Sequence, residues 1–241
     1  MMELPILFST PMVQAILDER KNVTRRVIKP QPNSILADHI SREPIAFWVN
    51  GDKWVKPPYQ PGDKLWVRET WFCDECDPDC AGRENEDECP FNHVGNYCYG
   101  YKAQYTTGWH KNIKWRPSIF MPKEAARIWL EVVNVRVERV QDITAQQALK
   151  EGIDHDEGND ENLCNYCPVE ESRRGVRNYG GEPQFCVDTG ACEIAQRAFE
   201  DDCIDYFAEL WNSTIKKEDL PLCGWDANPY VWVIEFKKVK A

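Results

Sequence analysis

Ile128-Trp129-Leu130-Glu131-Val132-Val133-Asn134-Val135-Arg136-Val137-Glu138-Arg139-Val140 is the stretch on which the fold turns. It is rich in β-branched residues, whose stiff side chains suit a pleated strand. Its apolar positions alternate, but the alternating set shifts from Ile128, Leu130 and Val132 to Val133, Val135 and Val137. A period of two slips in this way when one extra residue is inserted, so the spacing predicts a β-bulge near Val132. Near the far end, Tyr230 to Val239 reads as a final strand. Upstream, Pro61-Gly62-Asp63 is a turn, after which Leu65, Val67, Glu69 and Trp71 alternate with Trp66, Arg68 and Thr70 as one strand. Phe47-Trp48-Val49 and Lys53-Trp54-Val55, split by Asn50-Gly51-Asp52, predict a hairpin.

Short helices flank these strands. The apolar run Pro5 to Phe8 precedes Thr10-Pro11, a hydroxyl cap followed by a proline at the first helical position. Met12, Val13, Ile16 and Leu17 give that helix an apolar face, and Asp18 to Arg26 reads as a charged turn. Val27 to Gln31 is extended and runs into prolines, and Trp115 to Pro122 is irregular. Thr144 and Gln147 form a capping box for a helix that runs to Glu151 and stops at Gly152. A longer helix, roughly Ile194 to Trp211, is expected to bury Ala195, Phe199, Tyr206, Phe207 and Leu210. The mixture is α+β and suits a small β-barrel with flanking short helices.

At 241 residues the chain is long enough for a substantial core, and 42% hydrophobic with 29% charged residues places it among soluble globular proteins. No apolar run is long enough for a transmembrane helix, and the first residues lack the basic and apolar regions of a signal peptide. The expectation is therefore a cytoplasmic protein with no membrane partner. The formal net charge of −11 argues against a nucleic-acid partner until its distribution is considered. Cys73 to Cys98 holds eight acidic residues and one basic residue, net −7; Glu151 to Asp205 holds fifteen and four, net −11. The two segments carry −18, so the rest of the chain carries −11 + 18 = +7. Ten of the eleven cysteines also lie in these segments, with Cys223 outside. The chain reads as a single basic domain over residues 1–241 with acidic, cysteine-rich insertions at about 73–98 and about 152–205.

An odd number of cysteines without a secretory signal points to metal ligands more than to disulfides. Cys73-x2-Cys76-x3-Cys80 and then Cys89 place four thiols within seventeen residues. Cys164-x2-Cys167 with Cys186-x5-Cys192 supplies four more. Four soft ligands suit tetrahedral zinc, and four protein ligands make the ion structural rather than catalytic. One or two zinc ions would order segments that have few aliphatic side chains to bury. His93 and Cys98 are alternative fourth ligands for the first site, and one ion shared between the insertions is a further arrangement.

Lys21-Asn22-Val23-Thr24-Arg25-Arg26 lies within a run carrying five basic groups from Arg20 to Lys29. A lysine, a threonine and an arginine at this spacing can bind an anion or activate a hydroxyl. This segment resembles the Gly-x-Lys-x-x-Thr-x-Arg motif of the ASCH family, a branch of the PUA-like β-barrels, at Lys21, Thr24 and Arg26; Glu19 stands in place of the motif's glycine. The turn and strand Pro61 to Val67, the strand and helix Leu130 to Glu151, and the last strand Tyr230 to Phe236 also resemble that family. Together these stretches cover about half the chain and neither insertion. Phage and prophage proteins of this type share Pro5-Ile6-Leu7-Phe8-Ser9, Trp66-Val67-Arg68-Glu69-Thr70-Trp71, Trp115-Arg116-Pro117-Ser118-Ile119 and Trp225-Asp226-Ala227-Asn228-Pro229.

The resemblance implies a PUA-like barrel with a pocket for RNA, DNA or a modified nucleoside. Within the matched motifs the residues assigned to binding are Arg25, Arg26, Arg68, Glu69, Trp71, Trp115 and Arg116. Trp66, Trp109 and Trp225 are further candidates for stacking on bases. One ASCH branch removes the N4-acetyl group of acetylated cytidine with a lysine, a threonine and a glutamate. By motif these correspond to Lys21, Thr24 and Glu151. Amide hydrolysis by them needs an activated nucleophile and a proton for the leaving amine. A third function class is a phage adaptor that binds a host protein through the acidic insertions, in the bacterial host cytoplasm.

Overall fold

The bulge expected near Val132 is where the long central ladder slips. In the computed structural model, which describes residues 1–32, 34–37, 44–48, 53–75, 92–94, 97–104, 113–153 and 189–240, the register breaks between Val132 and Asn134. The chain divides into two units, Met1–Arg139 with Tyr230–Ala241, and Val140–Pro229.

The first unit contains β1 (Glu3–Leu7), α1 (Thr10–Leu17), β2 (Val23–Val27), β3 (Ser34–Ala37), β4 (Pro44–Trp48) and β5 (Lys53–Val55). It continues with β6 (Lys64–Arg68), β7 (Trp71–Glu75), β8 (Asn92–Val94), β9 (Tyr97–Tyr101), β10 (Trp129–Arg139) and β11 (Tyr230–Val239). Its main sheet has the order β1-β6-β10-β11-β2, with β1 parallel to β6 and the other pairs antiparallel. The β3-β4-β5 and β7-β9-β8 sheets have three strands each. The β4–β5 pairing matches Phe47 with Trp54, as the hairpin reading expects.

The barrel expected from sequence is not closed. Among the described residues no ladder joins β1 to β2, so the main sheet is open and the architecture is mixed α+β. The reason lies at the edge of β1. Proline has no N–H to give a ladder, and Pro5 faces the free side. Two outward carbonyls of β1 are taken by side chains instead: Tyr59 Oη donates to Pro5 O at 2.9 Å and Arg26 Nη2 donates to Leu7 O at 2.8 Å.

The core follows from strand alternation. Leu65 and Val67 of β6, Leu130, Val132 and Val135 of β10, and Trp232, Ile234 and Phe236 of β11 pack with Ile6, Phe8, Val13, Ile16 and Ile28. Across the bulge the core face passes from Val132 to Val135, while Val133 is exposed. Each fully buried aliphatic side chain contributes roughly 1.5–3 kcal/mol.

Two other readings change. The alternation from Leu65 to Trp71 is not one strand: β6 ends at Arg68 and β7 begins at Trp71 in another sheet. Glu69 breaks the run, since its N–H points to Met121 Sδ at 3.3 Å and its carboxylate takes Arg127. The charged turn is shorter than expected, because Val23–Val27 forms β2 against β11. Only Asp18 to Arg20 turns, and Glu19 there has φ 62°. Likewise, Ser9 is the N-cap of α1 and Thr10 is its first residue.

The second unit contains α2 (Ala145–Lys150), α3 (Thr189–Thr214) and α4 (Leu220–Cys223). The Thr144–Gln147 capping box is present in both directions, and Gly152 at φ 81° ends the helix with its N–H on Leu149 O. Helix α3 starts before the expected Ile194, and its buried stripe is Cys203, Phe207 and Trp211, four residues apart. Tyr206 is exposed, one position off that stripe. Trp211 Nε1 donates to Cys223 O at 2.9 Å, and Phe207 packs edge-on against Trp225. No helix among the described residues is long and apolar enough to cross a membrane.

Candidate functional site at the β1 edge

The open seam of the main sheet carries a cavity of about 330 Å³ lined by Pro5, Ile6, Leu7, Arg26, Tyr59 and Arg68. This is within the size range of small-ligand sites, about 300–1,000 Å³. Arg26 reaches it from β2 and Arg68 from the end of β6. Each is held by a backbone carbonyl and an aromatic ring. Arg26 donates to Leu7 O and lies 5.4 Å from the Phe8 ring centre. Arg68 Nε donates to Met121 O at 3.1 Å and its guanidinium lies 4.9 Å from the Trp66 ring. Burial pushes the Tyr59 phenol up from its ordinary value, with Arg26 pulling against it. Tyr59 is therefore a protonated donor at neutral pH. Among the described residues the lining has two cationic side chains and no acidic one.

Lys21, Thr24 and Arg26 are gathered beside this seam. Thr24 pairs with Ile234 and Arg26 with Trp232, so both project from the face that carries the Trp232, Ile234 and Phe236 core row. Lys21 is 4% exposed. Its Nζ donates to Val23 O at 2.7 Å and lies 5.7 Å from the same Phe8 ring that Arg26 covers. Glu19 occupies the motif's glycine position, and its φ of 62° supplies the left-handed backbone that glycine ordinarily provides. Glu151 is buried at the C-cap of α2, in the second unit.

The other residues assigned to binding fall elsewhere. Arg25 projects from the opposite face to Arg26, and its side chain is 1% exposed. Arg25 pairs with Glu138 at 3.2 Å, and Arg136 bridges Glu138 and Glu235, forming a four-residue ion network across β2, β10 and β11. Glu69 accepts both arms of the Arg127 guanidinium at 2.9 Å each. Burial pushes its carboxyl above the ordinary value, while Arg127 draws it down. Both residues are structural partners here, because a buried charge requires a counter-charge. Trp66 and Trp71 are buried, not displayed for stacking. Trp71 stacks on Tyr99 at 5.8 Å with Arg116 over its ring at 5.1 Å, and Trp115 meets Phe72 edge-on at 5.5 Å. Trp109 lies outside the described residues.

Among the assigned metal ligands, Cys76, Cys80, Cys89, Cys164, Cys167 and Cys186 lie outside the described residues, and Cys192 falls within α3. Cys73 pairs with Tyr99 on β9, while Cys98 pairs with Asp74 on β7 and with His93 on β8. Successive strand residues point to opposite faces, so Cys98 is turned away from Cys73 and is not the fourth ligand of an ion that Cys73 holds. Among the described residues no cluster of three or more metal-binding side chains forms, and zinc-binding insertions are not displayed.

Sequence reasoning missed Tyr59, which lacks a motif neighbour, and Phe120. Phe120 is 70% exposed on a 3-10 turn with Ile119, close in sequence to Lys114, Arg116 and Lys123. The run Trp115 to Phe120 carried the signal, since an aromatic on a turn between basic residues is a stacking candidate. The chain matches no protein-family model, no curated protein and no solved structure.

Proposed function

We propose that the first unit is an ASCH-type, PUA-like module, of the kind encoded by phages, that recognises nucleic acid or a modified nucleoside at the β1 edge. The supporting observation is the cavity's lining, which among the described residues has two anchored guanidiniums, the Tyr59 ring and an apolar strand, and no carboxylate. Guanidiniums suit phosphates and the edges of bases, and the +7 balance outside the acidic segments favours a polyanion. Labelled single-stranded RNA and DNA titrated against the full chain at increasing salt test the reading. The expected result is an affinity that falls steeply and linearly in log–log form. Salt-independent binding, or none, overturns it.

A second reading is removal of an acyl group from a modified base such as N4-acetylcytidine. It is favoured by the burial of Lys21 and Thr24 beside the same seam. In it Thr24, or a water, attacks the acyl carbonyl, and Lys21 takes the proton and returns it to the leaving amine; an acyl-Thr24, where it forms, is then hydrolysed by water. Chromatography of N4-acetylcytidine after incubation with the chain tests this. Release of cytidine that Lys21→Ala abolishes is the expected result, and turnover that survives Lys21→Ala removes the site. The cysteine spacings support one or two structural zinc ions, which metal analysis of the purified chain would count.

A further inference from the structure

We propose that the β1-edge cavity binds a phosphate monoester, carried by a nucleotide or by the end of a nucleic-acid strand. In a strand, successive amides point to opposite sides. Phe8 N–H donates to Arg68 O at 3.2 Å, toward β6, so Leu7 N–H points to the free edge. At Pro5 there is no N–H to present. The edge carbonyls within the cavity each already accept a bond, Pro5 O from Tyr59 at 2.9 Å and Leu7 O from Arg26 at 2.8 Å. An exposed strand edge ordinarily offers acceptors and donors alike. Here a ligand also meets the Leu7 amide and two guanidiniums.

Among the described residues the ligand-facing groups are thus two guanidiniums and an amide N–H, with no carboxylate. A neutral nucleoside brings no negative charge to them. A monoester dianion does, and its oxygens accept from guanidinium and amide alike. Because Arg26 and Arg68 are each fixed by a carbonyl and a ring, little side-chain freedom remains to be lost on binding. The proposal rests on the nucleic-acid reading for the organic part of the ligand only.

Calorimetry on the full chain tests it with three probes: inorganic phosphate, each of the four ribonucleoside 5′-monophosphates, and the corresponding nucleosides. The expected result is that at least one monophosphate binds roughly ten- to hundredfold more tightly than its nucleoside, the span of one charge-assisted hydrogen bond. Arg68→Gln should remove most of that ratio, and Arg68→Lys, which keeps the charge and loses the fork, should retain part of it. Equal binding of nucleotide and nucleoside overturns the inference and leaves the nucleoside reading standing. Equal binding of phosphate and every nucleotide supports the anion site and removes the nucleoside reading. No binding of any phosphate overturns the inference. A 5′-phosphorylated oligonucleotide beside its unphosphorylated form separates the sources: a gain from the terminal phosphate assigns the site to strand ends, and a gain confined to free nucleotides assigns it to the metabolite.

Discussion

Arg26 on β2 donates a hydrogen bond to the carbonyl oxygen of Leu7 on β1 at 2.8 Å, linking the two edge strands of the main sheet through a side chain in place of a ladder. One residue thus holds the seam and charges the cavity beside it. Arg26→Ala is expected to cost about 1.5 kcal/mol, the low end for a charge-assisted bond, and to weaken nucleic-acid binding. Urea denaturation and a binding titration on the same sample check both effects. Stability and affinity that both stay at the wild-type level would remove Arg26 from each role.

Glu19 holds a left-handed backbone at φ 62°. A side chain there costs roughly 1–2 kcal/mol, and glycine recovers part of this against its larger unfolded-state entropy. The ion pair of Glu19 with Lys238 is solvent-exposed and contributes little. Glu19→Gly should therefore raise stability by about 0.5–1 kcal/mol, read as a shift in the denaturation midpoint without a change in slope.

Glu69 gives a pH signature. Its folded pKa is raised above the ordinary 4.5, chiefly by burial and against the pull of Arg127. Between those two values the folded state binds more protons than the unfolded state, so this group's contribution to stability falls as pH rises. It is full below about pH 4.5 and is lost as pH passes through the folded value. The melting temperature of the wild type minus that of Glu69→Gln should shrink from pH 4.5 upward and then level off. A difference that grows with pH would contradict the direction.

Gly100 on β9 lies opposite Phe72 on β7, and a Cβ placed there would sit 2.0 Å from the Phe72 ring. The ring also meets Trp115 edge-on. Gly100→Ala must displace the ring and should cost about 1–3 kcal/mol by overpacking. Near-ultraviolet dichroism would report the altered aromatic packing, and an unchanged spectrum with unchanged stability would show that the ring moves freely.

Thr144 accepts a hydrogen bond from Gln147 N–H at 3.3 Å as the cap of α2. Thr144→Ala should cost about 1 kcal/mol and Thr144→Ser much less. Guanidinium denaturation of the three chains provides the comparison.

Several elements are legible in the sequence because their causes are local. The slip of the apolar set at Val132, the final strand Tyr230–Val239, and the Thr144–Gln147 cap each depend on periodicity or on residues three apart, and each stands where the spacing places it. The seam is not legible in that way. Alternation alone makes Glu69 look like the next residue of a strand; Arg127, 58 residues away, turns it into a break. Adjacent Arg25 and Arg26 have the same charge and motif context, yet one lies in a buried ion network and the other lines the cavity. Their separation requires β11 as a partner and the face that its core row defines. Tyr59 acquires its role from Pro5, 54 positions away. Short-range spacing determined the bulge of β10, the last strand and the cap of α2, because backbone period and capping are set within one turn or one pleat. Tertiary structure alone decided which edge stays open and which cations meet there, because ladder partners and counter-charges come from distant parts of the chain.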